Sequence, residues 1–302
     1  MKHRAVDIDG PVHYADFGGS GRPIVLVHGL GGSHLNWLQV APPLAAHGRV
    51  LAVDLVGHGL TRSQGRSARI SASRQLLGRF LETVAREPAV LIGNSMGGYL
   101  ALAEAAAEPA RVASLVLVAP AVPPAPGVLL DRRVVALFAG SAVPLLGGAL
   151  VDWRRRLGPE RLVGDMLSLC CADVRRVAAD AVRAHVELAR ERAAFGREVT
   201  RDFLAAQRSL MARLLRRRRF RSMVASVRSP TLIVQGRRDR LVRVEAARAF
   251  AALRPDWRLE ELPDVGHVPQ LEAPGRFLAL VEPWLGGETR PRRQPGTESS
   301  TP

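Results

Sequence analysis

Five short, nearly unbroken runs of aliphatic residues constrain this chain more than any other feature: Pro23–Val27, Val50–Val53, Ala89–Ile92, Leu115–Val118 and Thr231–Val234. A strand with one wet face alternates apolar and polar residues. Continuous hydrophobicity instead marks strands covered on both faces, as in a parallel sheet buried between helices. Helical patterns separate the runs. Ser71–Ala85 carries Leu76, Leu77, Phe80, Leu81 and Val84 on one stripe, and Gly98–Ala107 stops before Pro109. Val244–Leu253 and Pro274–Leu285 follow, and a strand-like run at Trp257–Leu262 stands between them. Strands alternating with helices predict a βαβ architecture of the α/β class with a mostly parallel sheet.

The alternation breaks between about Ala121 and Val227. That stretch opens on Pro123-Pro124-Ala125-Pro126-Gly127, then runs helix-like and arginine-rich with no central strand. The simplest organisation is a core in two parts, residues 1–120 and 228–285, carrying a helical insertion at 121–227. The tail 286–302 is rich in proline, glycine and serine, has little to bury, and is expected to be disordered.

With 302 residues and 47% apolar composition the chain can bury a sizeable core. Its two cysteines, Cys170 and Cys171, are neighbours and cannot readily reach relaxed disulfide geometry, so no stapled framework is available. No apolar run of signal-peptide length follows the charged N-terminal residues, and no stretch reaches the ~20 apolar residues of a membrane span. A cytoplasmic setting is the expectation.

The formal charge of +15 comes almost wholly from arginine, with local clusters at Arg154–Arg156 and at Arg216–Arg219 with Arg221. Such clusters could attract an anionic membrane surface, an acidic substrate or nucleic acid. Solvated helix faces are the simpler reading, and no nucleic-acid-binding module accompanies the charge. Docking to a membrane surface is therefore not favoured, and no nucleic-acid partner is expected.

Gly93-Asn94-Ser95-Met96-Gly97 is a G-x-S-x-G pattern with a strand before it and a helix after it. That setting is what a nucleophile elbow requires: a strained turn presents the serine, and glycines on either side let backbone pass closely. Ser95 would then stand at a helix N-terminus, where N–H groups favour a developing anion. An ordinary capping serine is the plain alternative.

A serine hydroxyl needs a base to become a nucleophile. His267, in the loop after the Trp257–Leu262 run, lies where catalytic groups of open α/β sheets collect. The orienting acid is expected between Ser95 and His267 in sequence. Asp239, beyond the Thr231–Val234 run, is preferred to Asp264, which shares the loop of His267 and faces the ring edge less easily. After the Leu115–Val118 run, Ala119-Pro120 offers no carboxylate. The glycine loop His28-Gly29-Leu30-Gly31-Gly32 lets amides converge, so the backbone N–H groups of Leu30 and Met96 are candidates for an oxyanion hole. A phosphate-cradling loop is disfavoured because neither G-x-x-x-x-G-K-[ST] nor a helix-opening G-x-G-x-x-G is present.

These pieces together resemble the α/β-hydrolase superfamily, specifically its lid-bearing serine hydrolases. The resemblance rests on H-G-L-G-G at 28–32, D-L-V-G-H-G-L-T at 54–61, G-N-S-M-G-G at 93–98, G-R-R-D at 236–239 and G-H-V-P-Q-L-E at 266–272. It implies an eight-stranded sheet flanked by helices, a helical cap over the site, and a scaffold role for Asp54 and His58. Serine rather than aspartate at the nucleophile position argues against dehalogenase or epoxide-hydrolase chemistry. Hydrolysis of a small-molecule carboxylic ester with a hydrophobic acyl group is the leading expectation. The elbow is also similar to that of hydrolases cleaving C–C bonds in aromatic ring-fission products, although Val268 stands where those commonly place an aromatic. A non-catalytic binding protein on the same fold is the rival outside enzymes. Neither a metal nor an organic cofactor is implied, because no His/Cys/Asp cluster has ligand spacing along the sequence.

Overall fold

The computed structural model describes residues 1–128, 131–132, 134–136 and 146–287. Eight strands form one sheet: β1 (Lys2–Asp7), β2 (Pro11–Gly18), β3 (Pro23–Val27), β4 (Arg49–Val53), β5 (Ala89–Asn94), β6 (Val112–Val118), β7 (Thr231–Gly236) and β8 (Arg258–Leu262). Their spatial order is β1-β2-β4-β3-β5-β6-β7-β8. β1 and β2 form an antiparallel hairpin, and β2 runs antiparallel to β4. Every pairing from β4 to β8 is parallel. The expected α/β class, mostly parallel sheet and hydrolase architecture are all present.

The five hydrophobic runs have the double burial that their composition demands. In β3, Val25 and Val27 join the core on one face while Ile24 and Leu26 join the core on the other. Leu91 and Ile92 of β5, and Leu117 and Val118 of β6, divide in the same way. One core packs against the helices Ile70–Phe80 and Met96–Ala107. The other packs against Trp37, Leu44 and the helix Pro274–Leu285 through Phe277, Val281 and Trp284. Removing side chains of this size from water stabilises by about 1.5–3 kcal/mol each, so the two layers hold the sheet rigid.

Between β6 and β7 the described residues form the helices Leu146–Arg156, Pro159–Cys170, Ala179–Ala193, Arg197–Leu214 and Arg217–Ser226. Among the described residues no helix is long and apolar enough to cross a membrane. Arg217, Arg218, Arg219 and Arg221 are exposed, whereas Phe220 between them is buried against Tyr99 and Phe250. Beyond Gly287, the tail expected to be disordered lies outside the described residues.

Candidate active site

Because β3 to β8 run in parallel, their C-terminal ends share one edge of the sheet, where ligand sites of open α/β folds collect. Ser95 follows β5 directly and has φ 53° and ψ −114°, a left-handed conformation that side-chain-bearing residues rarely adopt. Its backbone is held on both sides: the Ser95 N–H donates to Val118 O at 2.9 Å, and the Ala121 N–H donates to Ser95 O at 2.9 Å. The glycines of the motif are enforced by contact. A Cβ on Gly97 would lie 2.0 Å from Val27 O, and one on Gly93 would lie 2.4 Å from Gly97 O. No side chain fits there.

His267 and Asp239 meet across the sheet edge. The His267 Nδ1–H donates to Asp239 Oδ2 at 2.7 Å, and both side chains are buried. Asp239 is itself fixed. Its Oδ1 accepts the N–H groups of Leu241 and Val242 at 2.8 and 2.9 Å, and its Oδ2 also accepts from Gln235 at 3.1 Å. This arrangement leaves Nε2 of His267 as the open ring nitrogen. Asp264 lies elsewhere, paired with Arg176 and Arg276 at the surface.

Asn94 joins the serine to the histidine: its Nδ2 donates to Val118 O at 3.1 Å and to His267 O at 3.0 Å. Among the described residues Ser95 Oγ has no hydrogen-bond partner. The glycine loop closes the arrangement. A Cβ on Gly29 would stand 3.2 Å from Ser95 Cβ, so this loop lies directly against the elbow. Among the described residues neither the Leu30 nor the Met96 N–H has an acceptor outside the helix that Met96 opens.

Sequence reasoning passed over Glu272. Its buried carboxylate accepts the Gly266 N–H at 2.7 Å, the Asp173 N–H at 2.8 Å and the Ala172 N–H at 3.1 Å. The His267 N–H donates to Cys170 O at 2.6 Å. The loop bearing the histidine is therefore fastened to the β6–β7 segment through the backbone of Cys170, Ala172 and Asp173. The only hint in the sequence was a glutamate ending G-H-V-P-Q-L-E on the turn Pro269–Glu272. Burial and the nearby Asp239 charge push the Cys170 thiol up to about 12, so it stays protonated.

Asp54 and His58, expected to be scaffold, are both buried at the end of β4. Burial alone would raise the Asp54 carboxyl, but hydrogen bonds from His13 and His34 hold it well below the carboxylate range. Burial, then His28 and Arg192 nearby, lower His58 to about 3. Arg192 of the insertion reaches down to the carbonyls of Gly57 and Gly59. Two surface cavities lie away from these groups, one beside Arg69 and Arg213 and one beside Pro124 and Phe220.

Residues 22–274 match the alpha/beta hydrolase fold family, and the chain belongs to it. Over 289 residues, 94% of this chain and 69% of the relative, it is 29% identical to the dihydrolipoyllysine-residue acetyltransferase component of the acetoin cleaving system of Cupriavidus necator. It is also 29% identical to 2-hydroxy-6-oxo-2,4-heptadienoate hydrolase of Pseudomonas putida, covering 89% of this chain and 91% of that protein. A putative lipase from Acinetobacter baumannii superposes with a TM-score of 0.75 at 22% identity, covering 94% of this chain and 90% of the other.

Proposed function

We propose that the protein is a serine hydrolase that cleaves a carboxylic ester of a small molecule, with Ser95 as nucleophile, His267 as base and Asp239 as orienting acid. The observation that carries this reading is the 2.7 Å His267–Asp239 hydrogen bond, tied by Asn94 to the turn that presents Ser95 at φ 53°. His267 Nε2 takes the Ser95 proton as Oγ attacks the acyl carbon. The carbonyl electrons move onto oxygen, where the Leu30 and Met96 N–H groups receive them. Collapse expels the alcohol with the proton from His267, and water, activated by the same nitrogen, releases the acid. The open Ser95 Oγ accords with catalytic hydrogen bonds that tighten only around substrate. No cofactor enters this sequence.

The insertion acts as a cap in this reading. Phe203 lies 3.4 Å from the Cβ position of Gly31, so the helix Arg197–Leu214 covers the glycine loop with an apolar side chain. This supports a hydrophobic acyl group. The arginine clusters then serve as solvated faces, and a cytoplasmic enzyme without a nucleic-acid or membrane partner is the setting we infer.

A second reading, C–C bond hydrolysis of ring-fission products, draws on the similarity to the Pseudomonas putida hydrolase along most of the chain. Val268 after the histidine weighs against it.

The test is turnover of p-nitrophenyl esters of increasing acyl length by wild type and Ser95→Ala. The expected result is ester turnover that disappears in the variant, with a chain-length optimum. Labelling of Ser95 by a fluorophosphonate without ester turnover would replace the ester by the C–C substrate class. Absence of both would overturn the assignment of the triad and favour a binding protein.

A further inference from the structure

We propose that His13, His34 and Asp54 bind one divalent transition-metal ion, with zinc the best match to the donors, in a site separate from the proposed triad. The three residues come from β2, from the short helix His34–Trp37 and from the end of β4. One ligand atom from each lies within 4.8 Å of the other two.

The geometry around Asp54 is unusually crowded with donors. Its Oδ2 receives His13 Nδ1–H at 2.8 Å, His34 Nδ1–H at 2.9 Å and the Leu60 N–H at 2.8 Å. Its Oδ1 receives the His34 N–H at 2.7 Å. Gly59 makes the space, since a Cβ there would lie 2.0 Å from the carboxyl carbon of Asp54. Two imidazole nitrogens therefore converge on one carboxylate oxygen at a site exposed only through His13, whose side chain retains 11% of its surface. Two histidines and a carboxylate form a donor set suited to zinc and its first-row neighbours, whereas calcium and magnesium prefer oxygen alone.

Zinc holds nitrogen at ~2.0–2.1 Å and oxygen at ~2.0–2.2 Å, so tetrahedral ligand atoms stand about 3.3 Å apart. The two histidine–carboxylate contacts must lengthen by roughly 0.5 Å as the ion enters, while the two imidazole nitrogens, within 4.8 Å of each other, settle to about 3.3 Å by rotation of the side chains. Each neutral imidazole gives its Nδ1 lone pair to the metal, and the proton formerly on Nδ1 passes through solvent to Nε2. In His13 that relocated proton faces His3 Nδ1, 2.8 Å from His13 Nε2, which accepts it once the exposed His3 ring has moved its own proton from Nδ1 to Nε2 through solvent. Metal-bound histidines characteristically donate their other N–H in this manner, which fixes ring orientation. The ion would tie the edge hairpin to the loop that carries Leu30. Along the sequence the ligands stand 21 and 20 residues apart, without any short-range metal pattern.

Tag-free protein stripped with a chelator is titrated with zinc by calorimetry, and with cobalt by visible spectroscopy. One equivalent of zinc, and a cobalt spectrum of nitrogen and oxygen ligation without a thiolate charge-transfer band, are expected. His13→Gln should abolish binding, and His3→Gln, on the exposed edge strand, should weaken it about 10- to 100-fold. No zinc binding, binding unchanged in His13→Gln, or a thiolate band assigning the metal to Cys170 and Cys171 would overturn the proposal. If His13→Gln does not fold, by circular dichroism, the wild-type cobalt spectrum and His3→Gln still decide it.

Discussion

Replacing Glu272 by glutamine exchanges one oxygen of a buried carboxylate for an amide nitrogen that cannot accept a hydrogen bond. In the best orientation the remaining carbonyl oxygen keeps the Gly266 and Ala172 N–H groups, now as neutral bonds. The NH2 group then faces the Asp173 N–H, which is 2.8 Å from the present Oε1. The part-buried Asp173 N–H loses its carboxylate acceptor, at about 1.5–3 kcal/mol for a bond to a charged group. With some relaxation of the loop, a net loss of about 2 kcal/mol follows. Because Gly266 immediately precedes His267, part of that loss should appear as misplacement of the base. A 1 Å displacement costs about 100-fold in rate, so a 10- to 100-fold fall in kcat with little change in KM is expected. Urea denaturation gives the stability change. Ester turnover and the rate of Ser95 labelling by a fluorophosphonate, measured well below the unfolding temperature, give the catalytic part. Stability within 0.5 kcal/mol of wild type, a change no larger than an ordinary surface substitution makes, together with unchanged kcat, would refute the reasoning.

Asp239→Asn should lower kcat by about 10³–10⁴-fold with the fold intact, because an amide cannot hold the same tautomer of His267; a loss below tenfold in the ester assay would remove Asp239 from the mechanism. A pH-dependent stability effect is expected at Glu198. Burial would raise its carboxyl, but hydrogen bonds from Arg62, Ser63 and Gln64 hold it at about 2. A depressed carboxyl stabilises the fold above its unfolded value of about 4.3, and that contribution fades as pH falls towards 2. Glu198→Gln should therefore be less stable than wild type at pH 7 and converge with it near pH 2 by chemical denaturation. A difference that does not change with pH would contradict this.

Much of the core was legible because buried parallel strands have a plain signature. Pro23–Val27 and Pro274–Leu285 begin and end where the pattern predicts, the other four aliphatic runs extend by one to three residues, and Trp257–Leu262 and Val244–Leu253 are shorter by one and two residues. The β1–β2 hairpin was not legible from periodicity. All of β1 but Val6 is exposed, so no face of it carries a continuous apolar signal. Met96 opens the following helix two residues before the predicted start at Gly98, because the elbow turns within the single residue Ser95. Within the site, the His267–Asp239 pair could be inferred from the order of the motifs. The Glu272 contacts could not, since they depend on where the insertion returns to the core. The cluster of His3, His13, His34 and Asp54 was hidden for the same reason: strand pairing assembles it, and His34 carries no sequence signal of its own.

The bond from the His267 backbone to Cys170 O, with the Glu272 clasp on Ala172 and Asp173, has a consequence for exchanging parts between relatives. If the segment between β6 and β7 is the cap proposed above, a transplant of it that ends before residue 170 would leave the recipient's His267 loop intact. One that crosses residues 170–173 would carry with it the ledge on which the base rests, and selectivity could no longer be altered without also altering reactivity. In a lineage, those four positions would then diversify more slowly than the helices on either side of them, although none of them belongs to the proposed triad.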